Sequence, residues 1–347
     1  MNVFKIVFDR PEGYYPGQTV TGQAIINACT PIKTRYLKIC FHGGAHTEWS
    51  TYDHEYCSEI EYISGEAIAW VSKDRSGILP KGLHTFPFSF PLPLMCPASF
   101  EGEYGDISYH VRVELDKPIP WKTNKVKKPY FKVLSNIDIS LIPNGSRPLV
   151  EYDSREVGVF KKGVVSMKAT IKKTAWTHGK FLPISVNIDN NSNRPVTCLR
   201  AELLQLSRYQ AKQKSSSSTR EHHEKSGKVV SMSRENLQVA AGTKSNVNFK
   251  IMIPKFALSF ECPIISVKYR LAVILDIDST SNKTLTCHFN IVIGNAPAVA
   301  PSAPPAIERT LSSPPPYPSD NEVVPTHIAG PSAPPPSYEE SMSTAKV

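Results

Sequence analysis

Apolar and polar residues trade places at every second position along most of residues 1–295. Val111, Val113 and Leu115 interleave with His110, Arg112 and Glu114, and Ile184, Val186 and Ile188 with Ser185, Asn187 and Asp189. Three more runs repeat the pattern: Val247 to Ile253, Val267 to Leu275, and Cys287 to Ile293. A period of two with one polar face describes strands of a sheet that buries one side. Turn signals separate the runs, among them Tyr15-Pro16-Gly17-Gln18, Leu79-Pro80-Lys81-Gly82, Pro143-Asn144-Gly145 and the polar stretch from Asp189 to Pro195. Strands that follow strands with no helix between them predict an all-β fold of antiparallel β-sandwiches. One segment resists. Leu199 to Tyr209 is rich in helix formers and carries an i, i+4 apolar pair at Leu199 and Leu203.

The alternation stops near residue 295, and composition changes there. Of 30 prolines, 13 fall in the last 52 residues with no collagen-like period. Such a stretch cannot pack as a domain, which predicts a disordered proline-rich tail over 296–347. Its only aromatics are Tyr317 and Tyr338. The body divides into 1–142 and 158–295, each of sandwich size, with 143–157 as a hinge linker around Pro-Asn-Gly-Ser-Arg-Pro. A polar stretch from Lys212 to Lys228 contains four consecutive serines. It reads as a mobile strand connection that offers hydroxyls to a kinase.

Several function classes fall away. No stretch approaches the roughly 18 apolar residues of a membrane span. The opening Met1 to Ile6 reads as a strand, not as a secretory signal. Seven scattered cysteines without a CxxC argue for reduced thiols and a cytoplasmic protein. No GxSxG elbow accompanies His42-Gly43-Gly44-Ala45, and no phosphate-cradling glycine loop exists, so no catalytic or cofactor-binding residue is expected. Cys40, His42, His46, His54 and Cys57 cluster in sequence, but their spacing fits no standard metal site and alternation splits them between faces. Neither a metal nor a cofactor is expected.

Charge is uneven. Five acidic residues against two basic ones leave the tail at −3, so the chain's +9 leaves the body at +12. One basic run stands out, Lys117 to Lys132, with Lys122, Lys125, Lys127 and Lys128 between. It reads either as a contact for an anionic membrane or phosphorylated partner, or as a solvated hairpin whose lysines guard a sheet edge. Nucleic-acid binding is not expected, because no recognition motif accompanies the charge.

Longer strings carry a family resemblance. Cys96-Pro97-Ala98-Ser99-Phe100-Glu101-Gly102, running on to Gly105 and Val111, resembles the signature of the arrestin N-terminal domain. Tyr15 to Gly22 is similar to that domain's opening turn and strand, and Leu79 to Phe90 to its "LPxGxHxFPFxF" segment. Gly179 to Val186 followed by Asn190-Asn191-Ser192, with the closing Ile291 to Asn295, resembles the arrestin C-terminal domain. The resemblance covers nearly all of 1–295 and implies two β-sandwiches in a saddle-like body. It also implies that Leu199 to Tyr209 is a strand despite its propensity. Phe86, Phe88 and Phe90 share a face and should fill the N-terminal core, with Phe100 beside them. Gly102 and Gly105 bracket a turn that leaves little room for side chains.

The tail carries short motifs. Pro314-Pro315-Pro316-Tyr317 and Pro335-Pro336-Ser337-Tyr338 both read PPxY, the pre-extended peptide that docks in the aromatic groove of a WW domain. Both tail tyrosines meet that pattern, roughly a 1-in-256 coincidence at this proline density. Pro301-Ser302-Ala303-Pro304 and Pro331-Ser332-Ala333-Pro334 repeat one tetrapeptide, similar to the PSAP motif that recruits the ubiquitin-variant domain of ESCRT-I. An arrestin-like body with this tail resembles the α-arrestins, closest to the branch with both motifs. The resemblance implies an adaptor bringing WW-bearing HECT ubiquitin ligases to membrane receptors and transporters for endocytosis and sorting, in the cytoplasm and at plasma membrane and endosomes. Its alternatives are a structural factor for ESCRT-dependent vesicle budding and a receptor scaffold of β-arrestin type.

Overall fold

The computed structural model describes residues 3–72, 77–116, 125–135, 137–157, 163–214, 220–256, 258–278 and 284–296. The first lobe contains β1 (Val3–Phe8), β2 (Thr19–Ala28), β3 (Ile32–Lys33), β4 (Tyr36–Ser50), β5 (Glu55–Val71), β6 (Ile78–Leu79), β7 (Gly82–Pro91), β8 (Phe100–Glu101), β9 (Gly105–Leu115), β10 (Lys125–Lys127) and β11 (Tyr130–Phe131). A single 3-10 turn, Ile139–Leu141, leads into the second lobe. There follow β12 (Leu149–Val157), β13 (Gly163–Ile171), β14 (Ala175–Thr177), β15 (Phe181–Asn191), β16 (Val196–Gln213), β17 (Glu221–Val239), β18 (Thr243–Met252), β19 (Phe260–Glu261), β20 (Ile265–Ile277) and β21 (Thr284–Gly294).

Each lobe is a sandwich. In the first, β1-β2-β7 covers the sheet β10-β9-β4-β5; in the second, β12-β13-β15-β18 covers β16-β20-β21-β14, with β17 flanking β16. The alternation explains the layers. Along β15, Leu182, Ile184, Val186 and Ile188 are buried while Pro183, Ser185 and Asn187 face out. Phe86, Phe88 and Phe90 of β7 are all buried, as their spacing predicts, and Phe90 stacks on Phe41 at 4.2 Å. Each fully buried side chain of this size contributes roughly 1.5–3 kcal/mol.

The helix-prone segment is strand β16. Leu199, Ala201 and Leu203 enter the second core, and β17 and β20 pair with both edges of the strand. Tertiary burial at period two outweighs a helix preference of a few tenths of a kcal/mol per residue.

Other expectations change. The stretch expected as hinge is short: Leu149–Val157 is β12, paired with β13 through nine registers, leaving the turn around Asn144 (φ 58°). Proline and glycine mark that turn but do not reach the alternating residues after it. The polar stretch from Lys212 to Lys228 is also mostly strand. Lys212 pairs Glu221, and Gly227 pairs Leu206, in a long β16–β17 hairpin. Its polar residues sit on an exposed arm, where strand pairing needs no apolar face. Nor is the outer side of β9 simply exposed: His110 and Glu114 are each only 7% accessible. Tyr130 lies across His110 at 5.5 Å, and Arg112 pairs with Glu114 at 2.6 Å.

Candidate functional site

The lobes meet along a seam built by the longest strands. Lys212 and Gln213 at the end of β16 pair with Cys57 and Tyr56 of β5, so the large sheets of both lobes form one 12-stranded sheet. Tyr209 and Ala211 of β16, with Ile264 and Ile265, belong to the first lobe's core, although they come from the second lobe's part of the chain. Thr47 Oγ1, fully buried, donates to the Gln210 carbonyl at 2.7 Å. The Tyr209 hydroxyl accepts from the Glu103 amide at 3.2 Å. Lys214 reaches Glu55 at 3.4 Å and Glu48 at 3.7 Å across the seam.

Phe100 does not sit in the first core, where the sequence places it, but at the junction. It is partly buried, packs against both cores, and meets Phe260 edge-on at 5.1 Å. The neighbouring turn aims it there, and Gly102 keeps the space open, because a Cβ at Gly102 would collide with the Tyr209 hydroxyl and the Phe100 ring. The reason for this glycine is close approach. Beside the seam lies a cleft of about 1360 Å³ between the lobes, lined by Arg10, Tyr15, Tyr130, Lys132, Lys255 and Phe256 among others. At its base the Tyr269 hydroxyl donates to Gln205 Oε1 at 3.2 Å, and burial pushes that phenol up to about 12.

No catalytic constellation forms at the polar cluster seen in the sequence. His42-Gly43-Gly44-Ala45 lies inside β4 and forms no oxyanion loop; a Cβ at Gly43 would strike the Tyr109 ring. His42 sits between Glu61 at 3.3 Å and Glu59 at 3.7 Å, while His46 faces the Cys57 thiol at 3.6 Å. His54 turns away toward Gln213. Among the described residues no three His, Cys, Asp or Glu side chains gather closely enough to hold a metal. Cys57 is not an activated thiol, since desolvation raises its pKa and Glu48 reinforces the rise. None of the seven cysteines is in a disulfide.

The described part of the basic run begins at a sheet margin. β10 pairs only with β9, at one end of the 12-stranded sheet, and carries Lys125 and Lys127. Lys127 and Lys128 are exposed, and Lys128 lies over the Tyr130 ring at 5.5 Å. Edge lysines oppose pairing with another strand. Lys122 lies outside the described residues, as do both PPxY motifs (Pro314, Pro315, Tyr317; Pro335, Pro336, Tyr338) and both PSAP motifs (Pro301–Pro304; Pro331–Pro334). No helix of the described residues is long and apolar enough to cross a membrane.

The two sandwiches are joined by a shared sheet and a mixed core. Residues 4–140 match the arrestin (or S-antigen) N-terminal domain, and residues 161–298 match the arrestin (or S-antigen) C-terminal domain. Arrestin domain-containing protein 4 of Homo sapiens is 31% identical over 307 residues, spanning 83% of this chain and 70% of that protein. Arrestin domain-containing protein 17 of Caenorhabditis elegans is 29% identical over 316 residues (86% and 71%), and arrestin domain-containing protein 1 of Homo sapiens is 26% identical over 306 residues (85% and 67%). The chain belongs to the arrestin domain-containing proteins, the α-arrestins, a family of scaffolds and adaptors.

Proposed function

We propose that this protein is a non-enzymatic adaptor that brings WW-domain HECT ubiquitin ligases to membrane receptors and transporters. The observation that carries the proposal is the pair of PPxY motifs, ending at Tyr317 and Tyr338, attached to an arrestin-family body. The body selects cargo and the tail recruits the ligase, so cargo is ubiquitinated, internalised and sorted at plasma membrane and endosomes. The two PSAP copies favour a second activity on the same tail, recruitment of the ESCRT-I ubiquitin-variant domain and, through it, vesicle budding. Lys127 and Lys128, exposed at the sheet margin, supply a contact for an anionic membrane surface.

Calorimetry of the full chain against a pair of linked WW domains tests the proposal. Tyr317→Ala and Tyr338→Ala should each weaken binding, and together abolish it, because two linked sites bind with avidity that one alone lacks. Unchanged affinity in the double variant refutes the ligase reading.

A further inference from the structure

The large sheets of both lobes join where β5 meets β16, and the registers fix which side chains share the outer face. Cys57 stands opposite Lys212 at the seam. From Lys212 the even-numbered residues of β16 point outward, Tyr209 and Ala211 being buried on the other side. Arg208 then lies beside Lys225, and Leu204 beside Val229 and Arg270. In the first lobe the same face carries Glu48 and His46 of β4, Glu59, Glu61 and Glu66 of β5, and Asp106 of β9.

The two halves are opposite in sign. In the first lobe, Lys38 is already held by Glu66 at 2.9 Å and Arg112 by Glu114 at 2.6 Å, while Lys128 lies over Tyr130 at the β9 margin. Around the seam the face is therefore set by Glu59, Glu61 and Asp106. Glu59 and Glu61 keep more than half of their side-chain surface exposed, and among the described residues His42 is their ion-pair partner. In the second lobe, Arg200 engages both Glu202 and Asp276. Arg208, Lys212, Lys225 and Arg270 have no carboxylate at ion-pair distance among the described residues, although Glu221 lies opposite Lys212 in register. Exposed Val229 and Met232 add apolar surface to the basic half.

A face that is acidic at one end and basic at the other is complementary to itself when reversed. We infer that two copies of this chain pack face to face through it, about a twofold axis crossing the seam. The acidic half of each copy then covers the basic half of the other, and the two Cys57 residues lie beside the axis. The contact is closed and isologous, which limits it to a dimer.

Sedimentation velocity on the full chain tests this. The wild type should be dimeric at about 0.1 M salt and monomeric at about 1 M, where the screening length falls from about 10 Å to about 3 Å. E59K/E61K alone and R208E/K225E alone should each weaken self-association by about tenfold or more. Mixing the two variants should restore a dimer, since each reversed half then meets an opposite partner; this also shows that both variants are folded. A bismaleimide should join two wild-type chains, and C57S should abolish that product. A monomer at every salt concentration, higher oligomers instead of a dimer, or failure of the mixed variants to pair each overturns the inference. So does a monomer that binds anionic vesicles through Arg208 and Lys225, which would assign the basic half to lipid.

Discussion

Phe100 fills the junction between two cores, so its removal loosens a contact rather than opening a closed cavity. Phe100→Ala should cost about 2–3 kcal/mol, below the roughly 3–5 kcal/mol of a fully buried ring, and a thermal melt should show the loss. His110 is the second informative residue. Desolvation, with Lys128 and His42 nearby, depresses its pKa from 6.5 to about 4. Its folded pKa lies below its unfolded one, so the unfolded chain binds the extra proton first. Stability from this group is therefore complete above pH 6.5 and falls as pH drops toward 4. Denaturant titrations at several pH values should show that acid slope, and His110→Phe should flatten it. Alternation puts His110 on a polar face and suggests exposure. Only the packing of Tyr130 reveals that it is buried, because that contact joins residues 20 apart through the β9–β11 register.

The elements are legible where the code is local. Period two locates β15, β18, β20 and β21, and glycine and proline locate the turns. Boundaries are less visible. β12 begins immediately after the Pro-Asn-Gly-Ser-Arg-Pro turn, and the β16–β17 hairpin runs through polar sequence because an exposed arm has no apolar face to announce it. The seam between β5 and β16 is also an element-scale feature. Thr47 lies in β4 and its acceptor, the Gln210 carbonyl, in β16. Thr47→Val removes the donor and leaves that carbonyl short of a partner, which should cost about 1–3 kcal/mol. A lowered denaturant midpoint with an unchanged slope is the expected readout.

At the scale of the whole molecule, the proposed function divides between a folded body and a motif-bearing tail. The second PSAP ends at Pro334 and the second PPxY begins at Pro335. A bound domain covers residues beyond its motif, so two adjoining tetrapeptides leave no space for two domains. At the proximal pair, nine residues separate Pro304 from Pro314, or up to roughly 28 Å when extended. The proximal pair should hold a WW domain and the ESCRT-I domain together, while the distal pair should bind them one at a time. Competition on a peptide of residues 326–347 checks this: mutual loss of affinity is expected, and a ternary complex would refute it.

By itself the sequence determined the all-β class, the family and the tail motifs, because strand alternation, turn residues and linear motifs are written in neighbouring positions. Tertiary structure alone decided that Tyr209 and Ala211 complete the other lobe's core, that Phe100 belongs to the junction, and that β5 and β16 share a sheet. Those facts depend on residues more than a hundred positions apart meeting in register, and nothing local records such a meeting. The bipolar outer face has the same origin. Its acidic and basic strands are separate in sequence, and they share one surface only because backbone pairing at Cys57 and Lys212 sets both lobes in a common pleat.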